Sequence, residues 1–335
     1  MSKRVFITRD LKRLKPIYPT DWQVRSWHSP DQAVTREELE RRLPDTEGLL
    51  CMLTDVIDED LLDRAPHLRV IATLSVGYDH VDVEQCSKRG ILVCNTPDVL
   101  TETTADLVFS LLLATARRIP EADRVVRENR WQGWSPLFLA GQDVHGKTIG
   151  IIGLGRIGLA VARRAMGFKM RILYHNRRPS SERASAVGAE YCQLDELLRR
   201  SDYVCLLAPL NETSRGMIGE RELELMKPGS YLINAARGAL IDEMALVRAL
   251  KAGRIAGAGL DVYAQEPLPA DHPLRECPNV VLLPHIGSAS VETRAAMAQL
   301  CVDSISAVLE GKCPDNVVNP EAFGEGKAAL DYTGD

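Results

Sequence analysis

The stretch that decides the fold is GKTIGIIGLGRIG, residues 146–158. Its apolar first half predicts a strand, Thr148–Gly153, and its second half opens a predicted helix, Arg156–Met166. A strand, a glycine-rich turn and a helix in this order indicate a dinucleotide site, where the pyrophosphate meets N–H groups at the helix N-terminus. We therefore predict cofactor contacts along this turn, at Gly153, Leu154, Gly155, Arg156, Ile157 and Gly158.

The next predicted strand, Met170–His175, should end at the adenosine ribose of that dinucleotide. Sites for NAD usually present Asp or Glu there, but residues 172–181 contain no acid and include Asn176, Arg177 and Arg178. An acid would repel a 2′-phosphate, whereas an arginine fork binds it. The predicted cofactor is NADP(H), with NAD(H) as the alternative, and we expect contacts from all three residues.

Short apolar runs alternate with amphipathic stretches along the rest of the chain. Further predicted strands are Val5–Thr8, Gly48–Leu53, Arg69–Leu74, Leu92–Asn95, Tyr203–Ala208, Ser230–Asn234, Gly257–Val262 and Val280–Leu283. Further predicted helices are Arg36–Leu43, Glu59–Ala65, Val83–Arg89, Asp195–Arg200, Glu243–Ala252, Val291–Leu309 and Thr101–Asn129, the last broken by Pro120. This alternation predicts an α/β protein whose parallel sheets are covered by helices.

Length and composition limit the class of protein. The 335 residues suggest two domains, and a net charge of -5 provides no basic field for nucleic acid or an anionic membrane. The N-terminus lacks the apolar core of a signal peptide, and the longest apolar run is too short to span a bilayer, which favours a cytoplasmic protein. The eight cysteines form no CxxC pair and no zinc-like cluster, so we expect reduced thiols and no metal.

Three loops that follow late strands each carry one reactive residue. Arg237 lies in INAARG, Glu266 in DVYAQEP and His285 in LPHIGS. The carboxyl ends of parallel strands meet at one edge of a sheet, so these loops should converge where ligands bind. Each residue alone has an ordinary structural explanation, but together with an upstream dinucleotide motif they indicate a catalytic site.

Over nearly its whole length the chain resembles the D-isomer-specific 2-hydroxyacid dehydrogenases. The matching segments are SVGYDHVDV, GKTIGIIGLGRIG, LMKPGSYLINAARGALID, IAGAGLDVYAQEPLP and VVLLPHIGSAS. WSPLFLAG and YHNRR are similar to the glyoxylate and hydroxypyruvate reductase branch. The resemblance implies two doubly wound parallel-sheet domains, in which a Rossmann cofactor domain (residues 100–288) is inserted in a flavodoxin-like substrate domain (residues 1–99 and 289–335). It also implies NADPH-dependent reduction of glyoxylate to glycolate and of hydroxypyruvate to D-glycerate.

The same resemblance implies residue roles. Arg237 would bind the substrate carboxylate and polarise the 2-oxo group, His285 would give a proton to the carbonyl oxygen, and Glu266 would hold the far imidazole nitrogen. Implied substrate contacts are Leu53, Ser75, Val76, Gly77 and Trp134, the last in the site of a neighbouring subunit. Further implied cofactor contacts are Thr104, Pro209, Ala235, Ala236, Asp261 and Gly287, beside Arg237 and His285.

Two other functions stay open at this point. Phosphite dehydrogenase keeps the same three reactive residues, and so do dinucleotide-sensing corepressors of this fold, which bind without turnover. The expected partners are a small 2-oxo or 2-hydroxy acid and a second copy of the chain. We predict a homodimer through the cofactor domains because Leu107–Leu113 is too apolar for a free surface helix.

Overall fold

The computed structural model describes residues 2–179 and 181–324. They fall into two compact units: one takes its described residues from 1–100 and 289–335, and the other is Thr101–Ser288. The assignment of substrate binding to one unit and cofactor binding to the other stays a prediction. No helix in the described ranges has both the length and the apolar character needed to cross a membrane.

The first unit is built on one parallel sheet of five strands in the order β2-β1-β3-β4-β5. The strands are β1 Lys3–Ile7, β2 Trp22–Ser26, β3 Gly48–Cys51, β4 Val70–Thr73 and β5 Leu92–Cys94. The helices are α1 Arg36–Arg42, α2 Glu59–Leu62 and α3 Val83–Lys88. This strand order is the flavodoxin-like one. Strand β2 was missed from sequence because it is an edge strand in which only Trp22 is buried.

The second unit contains a parallel sheet of seven strands in the order β12-β11-β10-β9-β6-β7-β8. The strands are β6 Thr148–Ile152, β7 Arg171–His175, β8 Glu190–Tyr191, β9 Tyr203–Leu206, β10 Tyr231–Asn234, β11 Gly257–Leu260 and β12 Val280–Leu282. The helices are α4 Thr101–Ala116, α5 Ile119–Arg127, α6 Arg156–Gly167, α7 Ser181–Ser185, α8 Leu194–Arg200, α9 Glu220–Leu225 and α10 Glu243–Lys251. The order reverses between β6 and β9, where doubly wound sheets bind ligands.

The chain returns to the first unit in α11, Val291–Leu309, which packs on β3 and β4. Its bounds are the predicted ones, and the predicted fold class of two parallel-sheet α/β domains is confirmed.

The core of the second unit lies on both faces of its sheet. Along β6, Ile151 belongs to the apolar cluster on one face and Ile152 to the cluster on the other, as the alternation of a strand requires. The predicted break at Pro120 is also confirmed, because α4 ends at Ala116 and Pro120 lies in the first turn of α5.

One argument from the sequence was wrong. The apolar run in α4 does not need a second subunit, because it packs inside the core of its own unit. Val108, Phe109, Leu111 and Leu112 are all buried there. The homodimer through the cofactor domains itself stays a prediction.

Candidate active site

The glycine turn after β6 has the geometry of a pyrophosphate site. Gly153 has a φ of 104°, which favours glycine. A β-carbon at Gly158 would lie 2.3 Å from the Gly153 carbonyl oxygen, so only glycine lets α6 start this close to the turn. A β-carbon at Gly155, in contrast, would meet nothing within 4 Å. The open side of Gly155 thus leaves room for a ligand to approach the backbone.

The residues after β7 connect to this turn. Leu154 N donates to Asn176 Oδ1 at 2.7 Å, which leaves the Asn176 amide NH₂ as a donor. Arg177 and Arg178 are exposed. The turn therefore presents positive charge and donors, and no carboxylate.

Asp261, Thr104 and Gly287, three predicted cofactor residues, lie together. Asp261 is fully buried at the end of β11, and its Oδ1 accepts from Ile286 N at 2.8 Å. Its Oδ2 has no hydrogen-bond partner among the described residues. A β-carbon at Gly287 would lie 3.3 Å from that oxygen and 3.5 Å from Thr104 Cγ2. Burial raises the pKa of Asp261, opposed by the Ile286 amide. Such an orphaned acceptor fits a donor such as the nicotinamide carboxamide.

His285 and Glu266 form a hydrogen-bonded pair. His285 Nδ1 lies 2.7 Å from Glu266 Oε2, and Tyr263 N donates to Glu266 Oε1 at 2.9 Å. The main-chain N–H of His285 donates to the main-chain carbonyl of Asp261 at 2.8 Å, which ties the pair to the main chain of Asp261. Because Nδ1 is engaged, Nε2 is the ring nitrogen available to a substrate.

The electrostatics of Glu266 follow from these neighbours. Burial raises the pKa of Glu266, but the hydrogen bond with His285, the charge of His285, the Tyr263 amide and the charge of Arg237 together lower it below the ordinary value. Glu266 is thus a carboxylate at neutral pH, and a carboxylate stabilises a protonated imidazole beside it.

Arg237 is held by the turn that follows β10. The fully buried Asn234 donates from Nδ2 to Arg237 O at 2.9 Å and accepts from Ala236 N at 3.1 Å. Arg237 Nη1 donates to Ala236 O at 2.9 Å. Its charge acts on Glu266, so the three predicted catalytic residues lie close together within one unit.

The first unit holds the other predicted substrate contacts. The carbonyls of Ser75, Val76 and Gly77 accept from Thr96 N at 2.8 Å, Asn95 Nδ2 at 2.8 Å and Ser75 Oγ at 2.7 Å. The amides of Val76 and Gly77 donate to no acceptor within residues 2–179 and 181–324. Two adjacent N–H groups without acceptors suit an anion. Leu53 is half-buried just beyond β3.

Other predicted residues have less defined surroundings. Pro209 follows β9, and its carbonyl accepts from Ser214 Oγ at 2.8 Å. Ala235 follows β10 directly. Trp134 lies in the irregular segment after α5 and is 83% exposed, so its predicted role in a second subunit stays a prediction. In the described part of the chain, no group of three or more His, Cys, Asp or Glu side chains could hold a metal ion.

Sequence reasoning missed two residues that shape the site. Asn234 closes the Arg237 turn, and Tyr263 both orients Glu266 and donates from its hydroxyl to Leu283 O at 2.9 Å. A buried asparagine at the end of an apolar strand was the available signal for Asn234. Tyr263 offered none beyond its place three residues before Glu266.

Known proteins of similar sequence point to one family. Residues 109–287 match the family model of the D-isomer specific 2-hydroxyacid dehydrogenase NAD binding domain. A glyoxylate reductase of Korarchaeum cryptofilum is 47% identical over 323 residues, which cover 96% of this chain and 97% of that protein.

Solved structures of similar proteins have the same fold. A protein of Thermus thermophilus has a TM-score of 0.86 and 44% identity, covering 94% of this chain and 99% of its own. The NADPH-dependent glyoxylate/hydroxypyruvate reductase of Sinorhizobium meliloti, solved with NADP and malonate, has a TM-score of 0.83 and 36% identity, covering 96% and 98%. This chain therefore belongs to the D-isomer-specific 2-hydroxyacid dehydrogenase family.

Proposed function

We propose that the chain is an NADPH-dependent reductase of small 2-oxo acids, which converts glyoxylate to glycolate and hydroxypyruvate to D-glycerate. The observation that carries the proposal is the 2.7 Å bond between His285 and Glu266, beside the orphaned carboxylate oxygen of Asp261. The names of the relatives from Korarchaeum cryptofilum and Sinorhizobium meliloti support the choice of substrates.

Each unit offers donors suited to a carboxylate. In the first unit these are the Val76 and Gly77 amides, and in the second it is the guanidinium of Arg237. His285, oriented by Glu266 through Nδ1, donates a proton from Nε2 to the oxygen of the 2-oxo group. A bound dihydronicotinamide supplies the hydride. Leu53 offers only apolar surface, which suits a small substituent but discriminates between glyoxylate and hydroxypyruvate by only about 1–3 kcal/mol.

The experiment compares wild type with His285→Ala and Arg237→Ala. Loss of the proton donor should lower kcat roughly 10²–10⁴-fold while NADPH still binds. Loss of Arg237 should raise KM and lower kcat, because each charge-assisted hydrogen bond contributes about 1.5–3 kcal/mol. The matched controls are His67→Ala and Arg199→Ala, both on exposed side chains. Near-normal turnover in either folded site variant contradicts the assigned roles.

The preference for NADPH is proposed on the charge of the turn after β7. Arg177 and Arg178 neutralise a 2′-phosphate, and Asn176 donates to it while its Oδ1 stays on Leu154 N. An aspartate at position 176 would repel the phosphate and accept from a free ribose hydroxyl instead. Asn176→Asp combined with an arginine-to-alanine change should therefore reverse the preference toward NADH, measured as the ratio of kcat/KM for the two cofactors.

We also propose a homodimer, formed through the second unit. Around α5 and the following segment lie exposed apolar side chains: Ile119, Val126, Trp131, Trp134, Leu137 and Phe138. A patch of this kind is unusual on a monomer. Leu137→Glu, at a side chain that is 83% exposed, should shift sedimentation toward the monomer. Wild type that sediments as a stable, active monomer contradicts the proposal.

A further inference from the structure

A second histidine–carboxylate pair lies beside the loop that carries Glu266. His272 Nε2 is 3.3 Å from Glu243 Oε2, and the two side chains are only 16% and 12% exposed. His272 Nδ1 accepts from Leu274 N at 3.3 Å, so the proton of the ring is on Nε2 and is donated to Glu243. This leaves the other carboxylate oxygen of Glu243 free to accept elsewhere.

That oxygen binds the loop that carries Glu266. Ala264 N donates to Glu243 Oε1 at 2.8 Å. Glu243 is the first residue of α10, whose start is fixed because Asp242 accepts from Ala245 N at 3.0 Å. The Ala264 amide is thus anchored to a rigid helix end, although residues 243 and 264 are distant in sequence.

Tyr263 and its peptide bond to Ala264 contact the loops that carry Arg237, Glu266 and His285. On one side it packs against Gly238, where a β-carbon would lie 1.8 Å from the Tyr263 carbonyl carbon, and Gly238 directly follows Arg237. The N–H of Tyr263, which belongs to the preceding peptide bond, donates to Glu266 Oε1 at 2.9 Å. The Tyr263 hydroxyl donates to Leu283 O, two residues before His285. Whatever fixes the main chain of Tyr263 on both sides therefore fixes Glu266 relative to Arg237 and His285.

We infer that Glu243 and His272 are positioning residues, which hold the Tyr263–Ala264 peptide so that Glu266 points at His285 Nδ1. The inference rests on the proposed reductase function, since it assigns a purpose to the geometry of that site. Neither residue touches the reacting atoms. The charged groups that face His285 are Glu266 and Asp261, and Arg237 acts on Glu266 in turn.

The expected effect of Glu243→Ala follows from the forces on Glu266. Freeing Ala264 loosens the bonds from His285 and Tyr263, which lower the pKa of Glu266, while the burial that raises it persists. The pKa of the Glu266 carboxyl should rise, and the high-pH fall of kcat/KM should move to lower pH. The Kd for NADPH should not change.

His272→Ala provides an independent arm, because it removes the donor to Glu243 and keeps every carboxylate side chain in place. It should raise the pKa of the Glu266 carboxyl and move the high-pH fall of kcat/KM to lower pH, though by less than Glu243→Ala. Glu276→Ala is the matched control: this acid is 76% exposed and contacts Lys251 at 3.5 Å, so its removal changes charge but not the loop.

The decisive readout is the titration of the Glu266 carboxyl, followed by carbon-13 NMR in the absence of substrate. A raised Glu266 pKa in the folded variants, with none in the control, supports the inference. An unchanged Glu266 pKa and pH profile in either folded variant overturns it, even if the melting temperature falls. Wild type that reduces no 2-oxo acid would contradict the proposed function instead, and the NMR arm would still decide the positioning role.

Discussion

Replacing Glu266 with glutamine keeps the shape of the side chain and removes its charge. Glu266 Oε2 lies 2.7 Å from His285 Nδ1, and the side chains are 31% and 27% exposed. At that distance a carboxylate stabilises a protonated imidazole by about 6 kcal/mol at an effective dielectric constant of about 20, and by about 1.5 kcal/mol in bulk water. Because both side chains are partly exposed, we expect the lost interaction to be about 1.5–3 kcal/mol.

The direction in which the pH profile moves follows from the charges around Glu266. Burial alone raises the pKa of Glu266, but the hydrogen bond and charge of His285, the Tyr263 amide and the charge of Arg237 together lower it below the ordinary value, so the carboxyl is ionised at neutral pH. In Glu266→Gln the high-pH fall of kcat/KM for reduction should move to lower pH.

The assay is NADPH oxidation with glyoxylate across the pH range, with Glu276→Gln as the control. An unchanged high-pH limb in folded Glu266→Gln would refute the role assigned to this charge. The same shift in the control would show that net charge, and not the pairing, sets the profile.

Three further outcomes are expected. Arg177→Ala or Arg178→Ala should weaken NADPH binding about 10- to 100-fold and leave NADH nearly unchanged, whereas Arg199→Ala should affect neither; equal losses for both cofactors would contradict phosphate recognition. Gly238→Ala should cost about 3 kcal/mol or more in unfolding free energy, because its β-carbon would meet the Tyr263 backbone; wild-type melting temperature and activity would show that the contact relaxes. Asp261→Asn should raise the Kd for NADPH about 10-fold, because an NH₂ group in place of the unpaired oxygen cannot accept the proposed carboxamide bond; unchanged cofactor binding would remove Asp261 from the site.

The sequence predicted the elements with strong periodicity. The buried strands around the glycine turn and the helix Val291–Leu309 have apolar patterns that tertiary contacts reinforce. The edge strands Trp22–Ser26 and Glu190–Tyr191 were missed, because one side of an edge strand is exposed and their residues are mostly polar or half-buried. The short helix Glu220–Leu225 was missed because it buries a single residue, so its sequence shows little apolar periodicity.

Within the site, loops after late strands were predicted to converge, and the structure brings Arg237, Glu266 and His285 together. The residues that hold them were not predicted. Glu243 and His272 lie in segments whose sequence shows no sign of a site. The fold places Glu243 against Ala264 and His272 against Glu243. The apolar run in α4 misled the dimer argument, because a sequence pattern does not show which apolar surface its helix will cover.

The central claim is tested most directly by the turnover of the purified wild-type protein with NADPH and glyoxylate. The account predicts steady oxidation of NADPH, glycolate formed in equal amount, and a higher kcat/KM with NADPH than with NADH. Hydroxypyruvate in place of glyoxylate should be reduced to D-glycerate. NADPH binding without turnover of either acid would contradict the account and would favour a dinucleotide-sensing protein.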